Sequence, residues 1–189
     1  MIPDYEQALE ILKTYNKSEA LVRHGICVSG AMRHFAALMG GDPAVWAVTG
    51  LLHDLDYEQW PDEHCVKTQE LLRKHGVDEE IVRAAASHGW GVCIDLEPVT
   101  PMEKTLYTID ELTGLIYASA LMRPDKDIRG MELKSLKKKF KTKGFAAGVD
   151  RDLIVKGAEL LGMPLDDVMQ HTLEGMQAIA EEIGLAGNE

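Results

Sequence analysis

Residues 44–56, AVWAVTGLLHDLD, constrain the fold of this chain more than any other stretch. An almost wholly apolar run that ends in His53-Asp54 predicts a helix buried on most sides. Taking an imidazole and a carboxylate into an apolar interior costs several kcal/mol unless they are paired or hold a cation. The rest of the chain must therefore bring partners to that helix end. A His–Asp pair delivered in this way is a candidate metal site.

The flanking sequence supplies helices. Asp4 reads as the N-cap of a first helix running to about Tyr15, and Ser18 caps a longer one that runs through Met39 and closes at Gly40-Gly41. Asp42-Pro43 provides a cap and an N1 proline for the helix that carries His53-Asp54. A fourth helix is predicted from Pro61 to Gly76, with His64 in its first turns, and a fifth from Asp78 to His88. Residues 89–99 read as a loop. Thr100-Pro101 with Glu103 opens a sixth helix to about Met122. A basic helix over about 129–140 follows, then two more over about 150–161 and 164–183. No segment alternates as a strand does, and no internal repeat or low-complexity tract is present. The expected fold is all-α, one domain over 1–189, with a metal-binding core over about 18–122 and a C-terminal helical extension over about 123–189.

Charge separates two regions. The net charge is −11, yet residues 123–143 carry nine Lys/Arg against three Asp/Glu. The acidic bulk argues against nucleic acid as a general partner. The basic segment would attract a phosphorylated ligand, or simply form a solvated helix face. No apolar run is long enough to span a membrane, and the acidic, amphipathic start is not a secretion signal. Cys27, Cys65 and Cys93 are odd in number and widely spaced, which reads as reduced thiols in the cytoplasm.

Two carboxylates look buried: Asp54, and Asp110 in the apolar stretch LYTIDELTGLIYASAL. Each needs a partner. Among seven histidines, His24 lies among apolar neighbours, His64 follows Asp62-Glu63, and His88 follows three alanines. Helices of a bundle can aim such groups at one cation. His34, His75 and His171 read as polar-face or helix-end residues.

The ordered set His24 … His53-Asp54 … Asp110 resembles the HD-domain superfamily of metal-dependent phosphohydrolases. The segments GLLHDLDYE, ELTGLIYASALMRP and SLKKKFKTKGFAAGVDR are similar to those of an HDIG-type subgroup. The resemblance implies one or two divalent metal ions (Mn, Fe, Co, Ni, Zn or Mg). His24, His53, Asp54 and Asp110 would be ligands, His64 and His88 would extend the set to six, and Asp54 would bridge. His53 and Asp54 would carry catalysis through a metal-activated water. Tyr57 stands where many members of that superfamily have a lysine. Asp56 would either hydrogen-bond a ligating imidazole or cap the helix.

For the substrate side, Lys143 and Arg151 flank a glycine-containing turn that could fold over the site. Arg123 lies too far along its helix from Asp110 to share a phosphate, by roughly 20 Å. Trp60 and Trp90 read as aromatics that cap the core or stack on a base. The implied reaction is hydrolysis of a small phosphorylated substrate, a phosphate ester or nucleotide. A di-iron oxygenase on the same ligand set and a non-catalytic nucleotide-sensing module are the alternatives.

Overall fold

The computed structural model describes residues 1–187, and all its regular structure is helical. The helices are α1 (Tyr5–Tyr15), α2 (Glu19–Met39), α3 (Pro43–Leu52), α4 (Val66–Lys74), α5 (Glu79–Ser87), α6 (Pro101–Leu121), α7 (Leu133–Lys141), α8 (Arg151–Leu161) and α9 (Leu165–Gln177). Single 3-10 turns occur at Pro61–Glu63 and Ile128–Gly130. Among the described residues, β-pairing is confined to two isolated bridges, Trp90 with Ile94 and Asp127 with Ala186.

Local chemistry sets most of the boundaries. Asp4 and Thr100 form reciprocal capping boxes with Gln7 and Glu103, and Ser18 and Asp42 cap α2 and α3 through their side chains. Gly40 takes the left-handed conformation that ends α2. Glu103 is buried and ties α6 to α5 through an ion pair with Arg83 at 2.6 Å.

Three expected helices are shorter or interrupted. The segment predicted from Pro61 to Gly76 breaks at His64-Cys65, where Cys65 has a φ of 67°. His64 therefore sits between a 3-10 turn and α4. The basic helix begins at Leu133 and not near 129, because Asp127 caps a separate 3-10 turn. The last helix ends at Gln177, and turns replace its final stretch.

α2, α3 and α6 form the centre, and buried residues of α1, α5, α8 and α9 join the same hydrophobic core. The helices described as a C-terminal extension thus close the core: Ile154 and Ala158 of α8 and Val168, Leu173 and Met176 of α9 are buried in it. α2 and α3 cross almost backbone to backbone. A Cβ on Gly25 would lie 2.9 Å from the Leu51 carbonyl oxygen, and one on Gly50 would lie 3.0 Å from Ser29 Cα. This close crossing brings His24, beside Gly25, next to His53.

Gly25→Val is expected to destabilise the protein by about 2 kcal/mol, since the obstructing atom is backbone and cannot rotate away. Urea denaturation of the two proteins measures the difference.

Candidate functional site

Five segments deliver six side chains to one point. His24 comes from α2, His53 caps α3 and Asp54 follows it, His64 stands before α4, His88 caps α5, and Asp110 lies in α6. Asp110 Oδ1 lies 2.9 Å from His24 Nε2 and 3.2 Å from His53 Nε2. Asp54 stands between two groups. Its Oδ2 is 3.3 Å from His53 Nε2 and 3.5 Å from His24 Nε2, while its Oδ1 is 3.2 Å from His88 Nε2 and 3.4 Å from His64 Nε2. The structure brings these six side chains together, with Asp54 in contact with both groups.

Three of the imidazoles are fixed from behind. His53 Nδ1 donates to the Gly50 carbonyl at 2.7 Å, His88 Nδ1 donates to the Ala85 carbonyl, and His64 Nδ1 donates to Asp56 Oδ1 at 2.7 Å. Each of the three rings therefore turns its Nε2 inward. Asp56 is fully buried, orients His64, and accepts from the Thr68 amide at 2.8 Å in the first turn of α4. The positive φ at Cys65 turns the chain so that His64 points at the cluster.

Two subsets have ligand atoms within 4.8 Å of one another: His24, His53, Asp54 and Asp110, and Asp54, His64 and His88. Either arrangement could surround a compact cation, and both can share protons. His24, Asp54, His64, His88 and Asp110 form the floor of an open cleft of about 340 Å³, walled by Tyr57, Glu111, Val149 and Leu153 among others, while the fully buried His53 lies beneath it. Tyr57 meets the His64 ring edge-on at 5.1 Å. Sequence reading missed Glu111, Val149 and Leu153, since only the packing of α8 against α6 places them at the rim.

Lys143 and Arg151 do not line this cleft. Lys143 is exposed. The Arg151 guanidinium donates to the carbonyls of Phe140, Thr142, Phe145 and Ala146, and so orders the α7–α8 connection. Arg123 pairs with Asp125, its neighbour in sequence. Trp60 packs against the core, and Trp90 lies 5.8 Å from Tyr107 with the Lys156 ammonium 3.9 Å over its ring. All three cysteines are free.

Mutual pairing controls ionisation. Burial works against charge on His53, but Asp54 and Asp110 outweigh it and raise its pKa well above the usual 6.5. His88 moves in the same direction: burial opposes, and the contact with Asp54 prevails. For Asp110, burial favours the neutral acid, yet His53 and His24 hold the carboxyl well below the usual range. Asp54 is held low by His53 and His88 against the same opposition. Asp54 and Asp110, held below the usual carboxylate range, thus face the raised imidazoles of His53 and His88.

The linkage has a definite sign. A raised histidine contributes stability that is full below its unfolded pKa of about 6.5 and is lost as pH rises through the folded value. A depressed carboxyl contributes above about 3.8, and the contribution is lost as pH falls through the folded value. In chelator-treated protein, the melting temperature is expected to be highest between these limits and to fall on both sides. Asp110→Asn should flatten the profile and bring the His53 imidazole back toward 6.5 in an NMR titration.

No family model and no solved structure matches the chain. The chain is 28% identical over 171 residues to the tRNA (cytidine(56)-2'-O)-methyltransferase of Picrophilus torridus. The match takes in 88% of this chain and 50% of that protein. The chain therefore spans about half the length of this curated relative.

This finding overturns several expectations together. They are the resemblance to HD-domain phosphohydrolases, the hydrolase activity on a phosphorylated substrate, and its oxygenase and nucleotide-sensing alternatives. The physical reason is the reaction that the relative's name states. Methyl transfer to a ribose oxygen is substitution at carbon, with no phosphate ester to split and no metal-activated water as nucleophile. The expected divalent metal cofactor (Mn, Fe, Co, Ni, Zn or Mg) falls with the hydrolysis it was meant to serve. The exclusion of nucleic acid is overturned too, because a net charge of −11 averages away a strongly basic local segment. What this chain is similar to is a tRNA-modifying protein.

Proposed function

We propose that this chain acts in the modification of tRNA, in the methylation of a ribose 2′-hydroxyl, with RNA as its partner. The observation that carries the reading is the 28% identity over 88% of the chain to a tRNA 2′-O-methyltransferase. The part assigned to the chain is to engage the RNA and present polar groups of a nucleotide to the cleft.

Two features of the molecule support this part. α7 carries Lys134, Lys137, Lys138 and Lys141 along one groove beside Leu133, while Leu136 anchors the helix in the core. A cationic helix face of this kind suits a phosphate backbone, which draws most of its affinity from Lys and Arg contacts. Lys143, two residues past the end of α7, is exposed as well. The α7–α8 connection, ordered by Arg151, leads from that face to Val149 and Leu153 at the cleft rim.

A methyl-sulfonium donor does not fit the cleft floor. Four imidazoles and two carboxylates face one another there at 2.9–3.5 Å, and each carboxylate already has imidazole partners. The contribution of these residues under this reading is their own: His24, Asp54, His64, His88 and Asp110 offer a polar cleft floor for hydrogen bonds to a nucleotide's hydroxyls, and buried His53 positions Asp54 and Asp110 from beneath. Among the described residues no helix is long and apolar enough to cross a membrane. We place the protein in the cytoplasm, where free thiols persist.

The chain should bind an unmodified tRNA transcript in fluorescence anisotropy, with affinity falling steeply between about 50 and 200 mM salt. Reversing charge in Lys134→Glu/Lys138→Glu/Lys141→Glu should weaken binding by roughly tenfold or more. Mass spectrometry of tRNA from cells lacking the protein should show a ribose methyl group missing. Absence of tRNA binding at low salt, with an unchanged methylation pattern in those cells, would overturn the proposal.

A further inference from the structure

A second group of side chains stands apart from the cleft, on the contact between α2 and α9. His34 Nε2 lies 3.2 Å from His171 Nδ1 and 3.2 Å from Glu174 Oε2, and His171 Nδ1 lies 3.1 Å from the same oxygen. Three potential ligand atoms thus form a nearly equilateral triangle. Metal bonds of roughly 2.0–2.1 Å at tetrahedral angles separate ligand atoms by roughly 3.3–3.4 Å. The observed triangle is close to one face of such a tetrahedron. From these distances we infer a zinc site formed by His34, His171 and Glu174.

Protons alone satisfy the triangle poorly. Each of the three contacts needs a hydrogen between its atoms. A proton on either facing nitrogen can serve the carboxylate oxygen or the other ring, but not both well. If both facing nitrogens are protonated, two N–H groups oppose each other at 3.2 Å. A cation satisfies all three lone pairs at once. The imidazole–imidazole–carboxylate donor set matches zinc chemistry.

The surroundings hold the three groups in place. Gln170 donates to Glu174 Oε1 at 2.8 Å, which leaves Oε2 to face the imidazoles. His171 and Glu174 are three residues apart and so share a face of α9. His34 reaches them because α2 and α9 approach closely at two glycines: a Cβ on Gly175 would lie 2.7 Å from Ala31 Cα and 3.0 Å from the Gly30 carbonyl oxygen. The rings are about a quarter to a third exposed, so a water can complete the coordination. A metal there clips α9 onto α2, independently of any reading of the cleft.

The test is a zinc titration of the whole chain followed by NMR of the individual imidazole nitrogens, which separates this site from the cleft histidines. The resonances of His34 and His171 should shift together and saturate. In Glu174→Gln, a change at a partly exposed position, the zinc affinity read from His34 and His171 should fall by roughly tenfold or more. The cleft histidines should respond there as in the parent. Zinc should raise the melting temperature of the parent more than that of Glu174→Gln. The inference fails if His34 and His171 stay unmoved at zinc concentrations that shift other histidines, or if their response is the same in Glu174→Gln.

Discussion

The structure depends on the mutual pairing of four imidazoles and two carboxylates inside a helical bundle. Each of these groups taken alone would oppose burial. Together they satisfy one another, and six residues from separate parts of the chain become a single polar unit. His53 is fully buried because Asp54 and Asp110 face it. Asp110 can lie in an apolar helix because His24 and His53 meet it. Removing one member leaves its partners uncompensated, which is why the helices around this point cannot shift independently.

Close packing converts that pairing into fixed geometry. The crossing of α2 and α3 at Gly25 and Gly50 sets the distance between His24 and His53. Backbone carbonyls of Gly50 and Ala85 orient His53 and His88 from within their own helices. Asp56 reaches across the break before α4 to orient His64. The same device of two helices meeting at glycines recurs at Gly30 and Gly175, where it assembles the His34–His171–Glu174 triangle. Polar centres on both sides of α2 therefore rest on small residues that let backbones approach.

The functional reading changes with the comparison, and the cause is instructive. An ordered H…HD…D set reports which side chains converge, and that convergence is what the structure contains. It does not report which reaction the convergence serves. Similarity to a tRNA methyltransferase over most of this chain, but only half of the relative, redirects attention to the basic face of α7. Overall charge concealed that face, since repulsion and attraction at a surface act over about 10 Å and not over a whole molecule.

Helix existence and the caps at Asp4, Ser18, Asp42 and Thr100 were legible in the sequence, because periodicity and capping are local effects. So was the polar centre, because a carboxylate in an apolar stretch signals its need for a partner wherever that partner lies. The break at His64-Cys65 was not legible, since a positive φ at cysteine is held by surrounding contacts and has no sequence signature. Nor were the occupied guanidinium of Arg151, the rim formed by Val149 and Leu153, or the meeting of His34 with His171, 137 positions apart. Sequence by itself determined the all-helical class and the residues that had to find partners. Tertiary structure decided which partners they found and which charged side chains stayed free, because those outcomes follow from how helices cross in space.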